Sequence, residues 1–179
     1  MTDDPVVPAF SVRPAAAADV STIVAHRVAI YRELGRLPDD GGAAAEALAR
    51  AAADYLAEAV VHGTYAGWLA VDAAGLAVGG AGVLLRAVVP RLDADGRVLT
   101  APQALVLNVY TEPAWRRRGV AAAVVRAAVD GARARGCSAV VLHASDAGRP
   151  LYERLGFRPT TEMQLHDAPA TPNSRGPSL

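Results

Sequence analysis

The chain has 179 residues, 52% apolar content and 18 basic against 18 acidic side chains. That length fits one ordinary domain, that apolar content argues against overall disorder, and zero net charge argues against a nucleic-acid binder built on many cationic contacts. Every basic residue is Arg, which excludes Schiff-base chemistry on Lys and a P-loop, and the single Cys137 excludes an internal disulfide and a Cys-rich zinc site. No apolar run approaches the roughly 20 residues of a membrane span. The start, Met-Thr-Asp-Asp-Pro, lacks the apolar stretch of a secretory signal, so a cytoplasmic location is expected.

Residues 1–9 read as a loose lead-in. Residues 10–13 alternate like a short strand, closed by Pro14. From Asp19 the spacing turns helical, with Ile23, Val24, Val28, Ile30, Tyr31 and Leu34 as an apolar stripe ended by Gly35 and Pro38. A turn over 38–43 leads to a second, Ala-rich helix over 44–61, with Gly63 just beyond it. Residues 64–71 and 77–88 read as strands joined by the turn Asp72–Gly75. Residues 90–102 read as a long loop. Residues 104–111 form a nearly continuous apolar run, which suggests a strand buried on both faces. A helix over 119–135 follows, stopped by Gly136, then another buried strand over 138–144. Pro150 suits the first turn of a short helix ending at Leu155-Gly156. A last strand is expected over 157–165, broken near Pro159. From Asp167 onward Pro, Ser, Asn and Gly dominate, and a disordered tail is expected. The strands at 104–111 and 138–144 flank one helix as a right-handed βαβ unit. The whole predicts an α/β (α+β) domain over 10–166, a mixed sheet with helices on both faces.

The most informative stretch is Trp115-Arg116-Arg117-Arg118-Gly119-Val120-Ala121, between a buried strand and a helix. The first helical turn has free N–H groups and partial positive charge. Gly119 permits close backbone approach, Ala121 and Ala122 leave room, and three Arg add charge. The sum suits a pyrophosphate. A solvated basic turn closing a helix would read the same way on this stretch alone.

A second stretch, Arg149-Pro-Leu-Tyr-Glu-Arg-Leu-Gly-Phe157, adds to it. Together the two resemble the GNAT family of acyl-CoA-dependent N-acyltransferases. The family's loop, Arg or Gln, two residues, Gly, one residue, then Gly or Ala, stands here as Arg116-Arg117-Arg118-Gly119-Val120-Ala121. The later pattern stands as Leu151-Tyr152-Glu153-Arg154-Leu155-Gly156-Phe157. The opening Val12-Arg13-Pro14-Ala15, followed by Asp19 and Ile23, also fits. The resemblance covers about residues 10–165.

It implies a centrally splayed sheet and an N-acetyltransferase moving an acetyl group from acetyl-CoA to an amine, without a metal. Arg116 and the backbone amides of Arg117, Arg118, Gly119, Val120, Ala121 and Ala122 would hold the CoA pyrophosphate. The pantetheine arm would lie between strands 104–111 and 138–144, along Val109, Tyr110 and Thr111. An amide near Val109 would polarise the thioester carbonyl, where charge develops during transfer. Tyr152 would be the general acid, since a phenol of pKa near ~10 is neutral at physiological pH and can protonate a departing thiolate. Packing of the short helix is its other reading.

No general base is identified. His26 and Glu33 lie near one face of the first helix, Glu112 follows the central strand, and Asn108 is polar within it; a structural role suits each as well. Cys137, after a helix-ending Gly, reads as a small packed residue rather than a nucleophile. His62 and His166 have no metal-ligand spacing. The acceptor is a small amine or a peptide amine. Segment 26–62 carries six acidic residues against four Arg, a faint lean toward a cationic amine. Neither nucleic acid nor membrane is expected as a partner, and a homodimer stays open. The rival to an enzyme is a catalytically silent acyl-CoA-binding module of the same fold.

Overall fold

The computed structural model describes residues 10–38 and 40–163. The expected lead-in (1–9) and tail (167–179) lie outside the described residues. In chain order the elements are β1 (Phe10–Pro14), α1 (Val20–Glu33), α2 (Gly42–Val61), β2 (Tyr65–Asp72), β3 (Ala77–Arg86), β4 (Arg91–Leu92), β5 (Val98–Leu99), β6 (Gln103–Thr111), α3 (Val120–Ala134), β7 (Ala139–Leu142) and α4 (Arg149–Arg154). Five strands make one sheet in the order β1-β2-β3-β6-β7. The first three pairings are antiparallel, and β6–β7 is parallel.

Local chemistry sets these elements. Pro14 ends an edge strand, where its missing N–H costs no ladder bond. The Asp19 carboxylate, just before α1, accepts two bonds from the Arg13 guanidinium at 2.8 Å and one from Ala16 N–H at 2.7 Å. That pairing with Arg13 holds its pKa down at about 2. Between β2 and β3, Asp72 Oδ1 accepts from the N–H groups of Ala74 and Leu76 at 3.0 and 2.9 Å, tightening the expected turn. The same device recurs where a plain loop is expected. Asp93 Oδ1 accepts from Asp95 and Arg97 N–H, both at 2.9 Å, and closes β4 and β5 into a miniature hairpin. Two-residue strands are too short for alternation to reveal.

Two apolar cores lie on opposite faces of the sheet. On one, α3 packs Val120, Val124, Val125, Ala128 and Ala132 against Trp68, Val78, Val83 and Val106. On the other, α1 and α2 bring Ile23, Val24 and Leu56 against Tyr65, Leu69 and Val71. The alternation Trp68, Leu69 along β2 serves both faces, as period-two geometry requires. Each fully buried Val or Leu contributes roughly 1.5–3 kcal/mol.

Three expectations need correction. Strand 138–144 is shorter, Ala139–Leu142, and half-buried, because it stands at the sheet edge. Residues 157–163 form no strand; Pro159 cannot donate to a ladder, and Glu162 instead meets His143 at 2.9 Å. Residues 164 and 165 lie outside the described residues. The β6 strand is fully buried only at alternate positions, Ala104, Val106, Asn108 and Tyr110. Its intervening residues Leu105, Leu107 and Val109 line a cavity.

Candidate active site

Pairing between β6 and β7 runs from Gln103↔Ala139 to Val106↔Leu142 and stops. Beyond Val106, β6 continues alone to Thr111 with β3 on one side and a cleft on the other. A bulge lies in this free portion, where the register shifts from Gly82↔Leu107 to Gly80↔Tyr110. Asn108 carries it with φ of 54°, a left-handed conformation that Asn tolerates better than most residues. The sheet is therefore split between β6 and its edge strand β7.

The cleft has a volume of about 1090 Å³ and reaches from Val109, Tyr110 and Thr111 to Gly119, Val120, Ala121 and Ala122. Before α3 the backbone takes positive φ at Arg117 (63°) and Gly119 (84°). Such twists turn successive N–H groups to one side as an anion-binding nest. Arg116 N–H donates to Pro113 O at 3.3 Å, and Ala123 N–H to Gly119 O at 3.0 Å. The N–H groups between them, Arg117 through Ala122, have no backbone acceptor among the described residues. No side chain caps the helix. Thr111 Oγ1 is buried on the same cleft and has no hydrogen-bond partner among the described residues. Arg117, Arg126 and Arg154 also line it. The donors and charges fit a diphosphate.

The three consecutive Arg side chains differ in what they do. Arg116 is engaged: Nε donates to Thr111 O at 3.2 Å, and NH2 pairs with Glu33. It braces the ends of β6 and α1 across the cleft. Arg118 lies 5.3 Å over the Trp115 ring. Arg117 lines the cleft, with its backbone at the turn.

A smaller cavity of about 260 Å³ continues through the split, sharing Ile30, Leu34, Val109 and Ser145 with the first. Tyr152 lines this second cavity. Its ring packs edge-on to Phe157 at 6.0 Å, and burial pushes its pKa above the ordinary phenol value. The hydroxyl is thus protonated and bonds to no group among the described residues. The structure brings Tyr152, Val109 and the amide nest to one continuous opening.

The sequence profile of the acetyltransferase (GNAT) family matches residues 46–157. The chain belongs to this family. A glucosamine 6-phosphate N-acetyltransferase from Trypanosoma brucei brucei is 30% identical over 84 residues, 47% of this chain and 52% of that protein. The chain thus spans about half the length of the curated relative it matches. A GCN5-related N-acetyltransferase from Ralstonia eutropha superposes with a TM-score of 0.72 at 30% identity, covering 88% of this chain and 98% of that one. A predicted acetyltransferase from Clostridium acetobutylicum, crystallised with acetyl-CoA, shares the fold with a TM-score of 0.72 at 23% identity, covering 88% and 96% of the two chains.

Within this GNAT site the candidates for a base are all occupied. His26 is buried, 4.9 Å from the Tyr110 ring, and burial lowers its pKa to about 4. Glu33 pairs with Arg116, and Glu112 lies 3.4 Å from the Tyr110 hydroxyl that donates to it. Asn108 is held by Arg27 and Tyr65. The described acids of segment 26–62 do not line the smaller cavity, so they carry no lean toward a cationic acceptor. Glu46, Asp54 and Glu58 are exposed on α2, and Asp39 lies outside the described residues. What the sequence reading missed is Arg27. One Arg on an amphipathic helix carries no periodic signal that it turns toward a strand.

Proposed function

We propose that the chain is an N-acetyltransferase that takes acetyl-CoA in the larger cleft and an amine in the smaller cavity. The observation that carries this reading is the set of unaccepted backbone donors from Arg117 to Ala122, opening onto a split sheet. They hold the diphosphate, and Thr111 Oγ1 offers one more polar group alongside. Acetyl-CoA, when bound, supplies an acetyl thioester. The free edge of β6 near Val109 then donates to the thioester oxygen as charge grows there. As the amine N–C bond forms and the C–S bond breaks, the amine proton leaves to solvent, the Tyr152 hydroxyl protonates the sulfur, and the phenolate regains its proton from solvent.

Calorimetry with acetyl-CoA, followed by thiol release across an amine panel, tests the reading. Binding with release from at least one amine is expected. Binding without release from any amine would make the chain a silent acyl-CoA module, and no binding would end both readings. Glucosamine 6-phosphate belongs in the panel because a relative is named for it.

A further inference from the structure

Among the described residues, the smaller cavity is lined by Arg27 and Arg36 and by no Asp or Glu. Two other openings among the described residues differ. The one against β7 sets Arg149 and Arg158 beside Glu153 and Glu162, and in the larger cleft Arg116 faces Glu33. Arg27 is half-buried, and no carboxylate pairs with it among the described residues. A guanidinium drawn out of bulk water without a counter-ion is costly unless its donors are used.

Arg27 is instead held in place by neutral groups. NH1 donates to Asn108 Oδ1 at 2.8 Å and NH2 to Tyr31 Oη at 3.4 Å. The guanidinium carbon lies 5.2 Å over the Tyr31 ring. Asn108 is itself fixed: it is 8% exposed, sits at the bulge, and Nδ2 donates to Tyr65 Oη at 3.3 Å. A guanidinium has five N–H donors, so this support leaves donors for a ligand. The cavity meets the larger cleft at Val109 and Ser145, and Tyr152 lines it.

We infer that the acceptor is a small amine carrying a carboxylate or phosphate, with its oxyanion held by Arg27 and with Arg36 adding positive charge. The inference rests on the acetyltransferase reading above. An amine placed at the junction beside Val109 has its anionic end toward Arg27, and the fork of a guanidinium matches an oxyanion in two parallel bonds.

Matched amine pairs test it: O-phosphoethanolamine against ethanolamine, and glycine against glycinamide, with putrescine as the cationic control. The measure is kcat/KM for thiol release. In at least one pair the anionic member is expected to lead by tenfold or more, and the pair with the larger ratio tells phosphate from carboxylate. Arg27→Gln should bring that ratio to within about threefold of unity, Arg27→Lys should keep part of it, and Arg36→Gln should lower it by a smaller factor. A wild-type ratio at or below one in both pairs, or preference for putrescine, overturns the inference and leaves the acetyltransferase intact. So does an unchanged ratio in a folded Arg27→Gln protein. If that variant does not fold, the wild-type ratio and Arg36→Gln decide. Failure of every amine, anionic or not, to release thiol overturns the acetyltransferase reading itself, and this inference with it.

Discussion

Gly119 shows how one residue sets the diphosphate cradle. Its φ of 84° is one that residues with a Cβ rarely adopt, yet an added Cβ would meet no atom within 4 Å. Backbone strain alone therefore separates Gly from Ala here, about 1–2 kcal/mol. Gly119→Ala should lower the melting temperature by a few degrees and weaken acetyl-CoA roughly tenfold as the turn relaxes and its amides swing away, read by thermal melting and calorimetry. Unchanged affinity would remove the cradle from the binding account. Tyr152 makes a different demand. Its side chain packs against the core and also lines the smaller cavity. Tyr152→Phe keeps the ring, so acetyl-CoA affinity should hold while kcat falls on the order of a hundredfold, the scale of general-acid catalysis. A kcat within threefold of wild type would leave Tyr152 a packing residue.

At the scale of elements, α3 carries the cradle, and its seat on the sheet depends on two glycines. A Cβ on Gly79 would lie 2.7 Å from Val120 Cγ1, at the first turn of the helix. A Cβ on Gly131 would lie 2.0 Å from Trp68 Cζ2. Gly131→Ala gains up to about 1 kcal/mol in helix propensity but forces the indole aside, and overpacking costs about 1–3 kcal/mol. A net loss of stability is expected in denaturant titration, and the same substitution in a Trp68→Leu background should cost less. Equal costs in the two backgrounds would show that the indole is not the obstacle. Neither glycine is legible from the sequence, because a small residue records the bulk of a neighbour far along the chain. The helices and long strands were legible, since burial on one face imposes a period. The loop at 116–121 and the segment around Tyr152 stood out through contiguous motifs that resemble those of the GNAT family; from residue types alone the loop reads equally as a solvated basic turn and Tyr152 as a packing residue. The β4–β5 hairpin, the unpaired 157–163 segment and the Arg27–Asn108–Tyr65 support depend on pairings between distant residues, and no local pattern reports them.

For the whole molecule, the buried imidazole of His26 ties stability to pH. It sits on α1 against the Tyr110 ring, and an added Cβ on Gly80 would stand 3.2 Å from its Nδ1. Burial lowers its pKa from 6.5 to about 4, so the folded protein holds it neutral. Between pH 4 and 6.5 the unfolded chain binds a proton there that the folded chain does not. Stability therefore rises with pH through that window, and the contribution is complete above 6.5 and lost as pH falls toward 4. A depression of that size corresponds to about 3 kcal/mol across the window. Asp19 acts in a separate range: its pKa is lowered from 3.8 to about 2, so its contribution is lost only as pH falls from about 4 to about 2. Denaturant titrations at pH 4.5, 5.5 and 6.5 should show wild type gaining stability at each step. His26→Asn, which cannot titrate, should be nearly flat over the same range even though it is less stable at pH 6.5. If the variant keeps the wild-type slope, the acid sensitivity belongs to other groups, and the contact of α1 with β3 and β6 does not depend on a neutral imidazole.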